Sequence, residues 1–166
     1  MSVSVLIIRG ILSELCKRGV DPDELLRTIE LPRHQLMDIH ERVTSDQAER
    51  LIRDAIDRTG DPGLGLAIGA HAPLAMLQIF GHLISAHRTL REAVAAWQRY
   101  SILLVDAARF GLLEQGEFAL FTCEFPSTSA SARFFIDLTL ALALRIGRQF
   151  VAPTGPLCAV RLRHAA

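Results

Sequence analysis

Four glycines between residues 60 and 69 are the first candidates for chemistry, because glycine-rich loops hold nucleotide phosphates on their backbone N–H groups. Such a loop follows a buried strand, whereas a polar amphipathic pattern precedes Gly60. Three residues separate Gly65 from Gly69, where the dinucleotide fingerprint has two. We therefore interpret Gly60, Gly63, Gly65 and Gly69 as a turn and a helix-packing device, with Gly69 ending a helix and Gly81 allowing close helix packing. No cofactor is expected.

The histidines are the next candidates, as metal ligands or as bases. His82 and His87 lie five residues apart, on different sides of a helix, and no glutamate between them completes a zinc-binding pair. We therefore expect no metal site. The sequence around His82 is otherwise apolar, which predicts a buried imidazole. Such a group is either hydrogen-bonded within the core or a donor that lines a cavity.

Several aromatic residues could line an apolar cavity for a small molecule, because such sites are mostly hydrophobic and carry a few polar groups that fix the ligand's orientation. The alternative is that the same rings form ordinary core packing. The candidate ligand-binding residues are Gln78, Phe80, His82, Trp97, Tyr100, Phe121 and Phe135. Among them, Gln78, His82 and Tyr100 would be the polar anchors.

Nucleophilic catalysis finds little support in the sequence. No serine stands in a glycine-flanked nucleophile elbow, and Cys16, Cys123 and Cys158 have no activating motif beside them. The three cysteines are far apart and odd in number, so we interpret each as a small buried hydrophobe in a reduced, cytoplasmic interior. We predict no catalytic residue and a protein that is not an enzyme.

Composition predicts one globular domain of 166 residues, since 50% of the residues are hydrophobic and 22% are charged. Eighteen basic and eighteen acidic residues give a net charge of zero, whereas an autonomous nucleic-acid-binding domain is usually basic. The apolar run from Val3 to Ile8 ends at Arg9 and is too short to span a membrane. We expect neither direct DNA binding nor a membrane.

Apolar periodicity predicts an N-terminal group of helices, beginning with Val5 to Lys17 and continuing after Asp21. Thr44 with Gln47, and Thr89 with Glu92, form capping boxes that open two amphipathic helices. Between these two helices, residues 74 to 85 are apolar on nearly every face, which predicts a central buried helix.

After Leu104 the apolar period changes to that of strands. Residues 111 to 125 predict a β-hairpin around Gln115 and Gly116, with Phe121 on one face and Phe118 on the other. A long helix follows to about residue 150, and residues 157 to 164 predict a further strand. The predicted fold is α+β: an N-terminal helical layer packs on a small antiparallel sheet that is crossed by the long helix near Phe135.

The stretch from Gly60 to Tyr100 combines a glycine-punctuated turn, a buried helix and an amphipathic helix in one order. In that order it resembles the N-terminal, arabinose-binding-like sensing domain of AraC-type transcription regulators. The likeness covers about residues 43 to 164. The residues that carry it are Asp61, Pro62, Gly63, Leu64, Gly65 and Leu66, then Phe80, Gly81 and Leu83, then Thr89, Leu90, Glu92 and Ala93, and finally Tyr100.

The resemblance implies that residues 1–166 form an effector-sensing domain that binds an unidentified small molecule and forms a homodimer. DNA would be bound only by a C-terminal helix-turn-helix domain, so the chain is expected to be a piece of a longer regulator. Two alternatives remain open. One is a scaffold that binds a protein partner through an apolar helix face, and the other is a small enzyme built around His82.

Overall fold

The computed structural model describes residues 2–71, 77–116, 118–150 and 160–161, apart from the side chains of residues 78, 79, 149 and 150. The helices in this part of the chain are α1 (Val5–Lys17), α2 (Pro22–Thr28), α3 (Ser45–Thr59), α4 (Leu64–His71), α5 (Gln78–Ser85), α6 (Leu90–Tyr100) and α7 (Ala130–Phe150). The strands are β1 (Ser2–Ser4), β2 (Arg42–Thr44), β3 (Arg109–Gln115) and β4 (Phe118–Glu124). The α+β prediction is confirmed.

Both predicted capping boxes are present and fix where α3 and α6 begin. The Thr44 hydroxyl accepts the Gln47 backbone N–H at 3.3 Å, and the Gln47 side-chain oxygen accepts the Thr44 N–H at 3.1 Å. Thr89 and Glu92 make the same reciprocal pair at 3.2 Å each. Each box satisfies two backbone donors that the first helical turn leaves without an intrahelical partner.

Helix α2 ends in a left-handed turn made by a residue that is not glycine. Glu30 has a φ of +55°. The Leu31 N–H donates to the Leu26 carbonyl at 3.0 Å, and the Glu30 N–H donates to the Arg27 carbonyl at 3.2 Å. This is the Schellman pattern of hydrogen bonds, in which the left-handed position normally carries glycine.

The long helix α7 is the centre of the fold, because α3, α4 and β4 all contact it. Its contact with α4 is so close that Gly65 and Gly69 of α4 have no room for a side chain. A Cβ built on Gly69 would lie 2.6 Å from the Leu138 carbonyl oxygen, and one on Gly65 would collide with the Phe134 carbonyl oxygen. The helix-packing interpretation of these glycines is confirmed. The expectation that Gly69 ends a helix is wrong, since α4 continues to His71.

Helix α5 is not the fully buried central helix that the sequence predicts for residues 74 to 85. Phe80, Gly81 and Ile84 are buried, but His82 and Ser85 are exposed. Helix α5 therefore lies at the surface with one buried side. Residues 72–76 of the predicted helix lie outside the described residues.

In the part of the chain that the structure describes, the strands form two antiparallel pairs. Strands β1 and β2 align Val3 with Val43, and Val3 also bridges to Val105. This small sheet escaped sequence analysis because each strand has only three residues. The predicted hairpin is confirmed as β3 and β4, with Gly116 in the turn at a φ of +59°.

The last predicted strand, residues 157 to 164, lies outside the described residues except for Val160 and Arg161, which are exposed and belong to no strand. Within the part of the chain that the structure describes, no helix is long and apolar enough to cross a membrane.

Candidate functional site

Four aromatic rings meet where α6 packs between α5 and the hairpin, and we call them the aromatic cluster: Phe80, Trp97, Phe110 and Phe121. Trp97 is central, since its ring centroid lies 5.6 Å from that of Phe80, 6.0 Å from Phe110 and 5.9 Å from Phe121. All three contacts are edge-on, whereas Phe110 and Phe121 stack on each other at 6.1 Å. These separations are those of rings in contact, so the cluster is packed.

The register of the hairpin explains why Phe110 and Phe121 are neighbours. Phe110 aligns with Cys123, and Leu112 aligns with Phe121. Phe110 and Phe121 are therefore diagonal neighbours on one face of the sheet. That face is turned toward α6, where Trp97 continues the buried side formed by Ala93.

Two polar contacts tie α6 to β3 on either side of Trp97. The Gln98 side-chain amide donates to the Phe110 carbonyl at 3.1 Å, and the Arg91 guanidinium lies 2.8 Å from the Glu114 carboxylate. Both are exposed contacts, and exposed ion pairs contribute about 0–1 kcal/mol. They therefore add little to the stability of the fold.

The structure brings together three of the seven predicted ligand-binding residues, namely Phe80, Trp97 and Phe121. Phe135 belongs to a second aromatic group, where it stacks on Phe125 at 6.2 Å and meets Phe134 edge-on at 5.4 Å. This second group lies where the chain leaves β4 for α7.

The predicted polar anchors are less well placed. The expectation that His82 is buried is wrong, because it is exposed on α5. Its helical position, two residues from both Phe80 and Ile84, turns it away from their buried side. Tyr100 is half-buried, with the Arg99 guanidinium 5.4 Å from the centre of its ring. The Gln78 side chain lies outside the described residues.

The enzyme alternative requires a second titratable group within hydrogen-bond reach of His82, and the structure gives this exposed side chain no such hydrogen bond to any residue that it describes. Among the described residues, no group of three or more His, Cys, Asp or Glu side chains could hold a metal ion. Burial raises the pKa of the Cys123 thiol to about 12, so that thiol is protonated at neutral pH and a poor nucleophile. Cys16 is exposed, so the prediction that it is buried is wrong, and Cys158 lies outside the described residues.

Sequence reasoning missed Phe110. The hairpin was expected to begin at Gly111, but β3 begins at Arg109. The alternation of Phe110 with Leu112 was a signal that would have placed both side chains on the face that carries Phe121.

The family model described as the arabinose-binding domain of AraC transcription regulator, N-terminal, matches residues 19–166. The chain belongs to this family. The match includes the aromatic cluster, the paired glycines of α4 and the hairpin, whereas α1 lies before it. As an AraC-type arabinose-binding domain, the chain is of the ligand-sensing class, and a small-molecule effector is implied. No curated protein matches the chain.

Proposed function

We propose that this domain senses a small-molecule effector at the aromatic cluster, forms a homodimer and controls a helix-turn-helix DNA-binding domain elsewhere in the regulator. Membership of the AraC sensing family supports the class of function. One observation supports this location for the effector site: Trp97 contacts aromatic rings from both α5 and the hairpin. A ligand at Trp97 would therefore act on the packing between these elements.

The proposed mechanism is a change in how the hairpin sits on α6. A flat apolar ligand that enters beside Trp97 replaces its edge-on contacts with Phe110 and Phe121, which are only half-buried. The hairpin then moves away from α6, opposed by the Arg91–Glu114 ion pair. A ligand shifts the balance between two arrangements only by its difference in affinity for them.

The lining indicates the chemical class of the effector. Aromatic rings dominate the cluster, so the ligand is expected to be largely apolar, with few polar groups. Tyr100 and Gln78 are proposed to bind those groups, and Phe135 to lie at the far end of the site. His82, being exposed, would reach only a solvent-facing part of the ligand.

The test combines thermal stability with fluorescence. Trp97 is the only tryptophan, so its emission reports on the cluster alone. We expect an apolar metabolite from a broad panel to raise the melting temperature and to change Trp97 emission. Phe121→Leu should weaken this binding, whereas Phe125→Leu, which removes a ring from the second aromatic group, should not. A stabilising ligand that leaves Trp97 emission unchanged, or that tolerates Phe121→Leu, would place the site elsewhere.

The scaffold alternative is kept because one observation favours it. The face of the hairpin that points away from the cluster is apolar and exposed at Leu113, Phe118 and Leu120. A scaffold predicts no stabilising metabolite and a loss of partner binding when this face is made charged. The sensing proposal predicts that ligand binding survives the same change.

A further inference from the structure

One face of the hairpin is unusually apolar for a surface exposed to water. Alternate residues of one strand share a face of the sheet, and aligned residues of the two strands lie on the same face. The face that points away from Trp97 is called here the outer face. Its members are Arg109, Gly111, Leu113, Gln115, Phe118, Leu120, Thr122 and Glu124. Leu113 is 54% exposed, Phe118 63% and Leu120 53%. Contiguous exposed apolar side chains of this kind typically mark an interaction surface.

The outer face is complementary to itself. Strand register aligns Leu113 with Leu120 and, at the other end, Arg109 with Glu124. Suppose that two copies pack outer face against outer face and are related by a two-fold axis parallel to the strands. The axis lies midway between the two sheets, above the line midway between β3 and β4. Each residue of β3 then faces, in the second copy, the β4 residue with which it is already aligned. Leucine meets leucine and arginine meets glutamate, each twice.

A third aligned pair leaves the middle of the outer face without a large protruding side chain. Gly111 aligns with Thr122, and a Cβ built on Gly111 would collide with the Thr122 hydroxyl. The threonine side chain thus lies over the glycine. No large side chain rises between the leucine pair and the charged pair, so a second sheet can approach both at once. Sheets that pack face to face keep their strands within about 30° of each other, as this axis requires.

We propose that the outer face of the hairpin docks on the outer face of a second copy of this chain about such an axis. This inference rests on the self-association in the proposed function and names the surface that performs it. Charge complementarity favours a second copy over a foreign partner, because the face supplies both members of each ion pair.

The size of the face predicts a weak dimer. Two strands of seven residues make a face about 23 Å long and about 10 Å wide. Each copy then buries on the order of 230 Å², well below the roughly 800 Å² per partner of a standard stable interface. The dimer should therefore dissociate on dilution, and the chain should sediment as a concentration-dependent mixture.

The first experiment is sedimentation velocity of the 166-residue chain over a wide concentration range. We expect Leu120→Glu to weaken dimerisation at least about tenfold, because it places a carboxylate against the apolar pair. Leu66→Glu is the matched control, since Leu66 is also exposed, at 44%, but lies on α4. It should leave dimerisation unchanged.

The second experiment uses charge reversal and separates contacts between chains from contacts within one. Arg109→Glu and Glu124→Arg should each weaken their own dimer through like-charge repulsion. An equimolar mixture of the two variants should dimerise again. Mixing cannot repair the aligned pair inside either hairpin, so recovery reports contact between chains.

Four outcomes overturn the inference. A mixture no heavier than its components would do so, as would a dimer that tolerates Leu120→Glu; in the latter case self-association uses another surface and the proposed function stands. Leu120→Glu that lowers the melting temperature without changing the mass would show that the chain covers this face itself. A chain that is monomeric at every concentration removes both the inference and the proposed self-association, while ligand sensing remains separately testable at Trp97.

Discussion

The Glu49 carboxylate of α3 accepts the backbone N–H of Ser131 at 2.8 Å, and so binds the first turn of α7 from 82 residues away in sequence. The same carboxylate accepts the Ala130 N–H at 3.2 Å and the Arg53 guanidinium at 2.6 Å. Backbone donors at a helix N-terminus have no partner within the helix, and a carboxylate there also meets the positive end of the helix dipole. Glu49 is thus a capping residue supplied by another helix.

Replacing Glu49 with glutamine should lower the free energy of unfolding by about 1–2 kcal/mol, because a neutral amide is a weaker acceptor at this helix end. Chemical denaturation monitored by circular dichroism measures the loss. Asp57→Asn is the matched control, since Asp57 is an exposed carboxylate on the same helix. It should change stability by less than about 0.5 kcal/mol. An equal loss in both variants would show that the effect belongs to α3 alone.

Glu49 also predicts how stability depends on pH. Burial raises the pKa of this carboxyl, but hydrogen bonds from Ser131, Arg53 and Ser129 outweigh burial and lower the pKa from 4.5 to about 2. Because the folded-state pKa is the lower one, the stabilisation is complete above about pH 4.5 and is lost as the pH falls toward 2. Denaturation midpoints of the wild type and of Glu49→Gln should converge over this window. A constant difference down to pH 2 would contradict the assignment.

Gly69→Ala should destabilise the domain by about 1–3 kcal/mol, because its methyl group would overlap the backbone of α7. The obstacle is the Leu138 carbonyl oxygen at 2.6 Å, which no side-chain rotation can move aside. Gly147→Ala is the control within a helix, since nothing lies within 4 Å of its added Cβ. Alanine there should be neutral or stabilising by up to about 1 kcal/mol. The melting temperatures of both variants measure these effects. If Gly69→Ala does not lower the melting temperature, α4 and α7 are farther apart than the structure describes.

Glu30→Gly should stabilise the domain by about 0.5–1 kcal/mol, because glycine adopts a positive φ without the steric cost that a side chain incurs. Glu30→Ala keeps that cost and removes the same carboxylate, so it should not stabilise. The Arg50 guanidinium lies 3.9 Å from the Glu30 carboxylate, but both side chains are well exposed and little is lost with the pair. Equal effects of the two variants in urea denaturation would assign the change to the carboxylate and not to the backbone.

The elements that sequence analysis predicted correctly are those fixed by local chemistry. Thr44 with Gln47 specifies a helix start within four residues, and Gln115 with Gly116, between two short strand-like runs, specifies the turn of the hairpin. His82 was wrongly predicted to be buried, because a helix that is apolar on nearly every face does not indicate which of its sides is turned toward the core. Which side is buried depends on what packs against Phe80 and Ile84, and that is a tertiary property.

The candidate site was predicted in the same uneven way. Phe80, Trp97 and Phe121 were named from residue type, and the fold brings them together. Their convergence depends on how α6 lies across the hairpin, which no local spacing encodes. Glu49 gave no signal, since a glutamate on an amphipathic helix is read as a solvated charge until the distant helix that it caps is known.

The close approach of α4 and α7 has a mechanical consequence. Where Gly69 meets the Leu138 carbonyl, main chain touches main chain, and no side-chain rotation can absorb a displacement of either helix. Leu138 lies twelve residues before the C-terminal end of α7, about 18 Å along the helix, so a tilt of about one degree about this contact displaces the last turn by about 0.3 Å. Helix α7 therefore pivots as a rigid rod about its contact with Gly65 and Gly69. The stiffness of this contact determines how much of a small displacement at one end of α7 is transmitted to the other end.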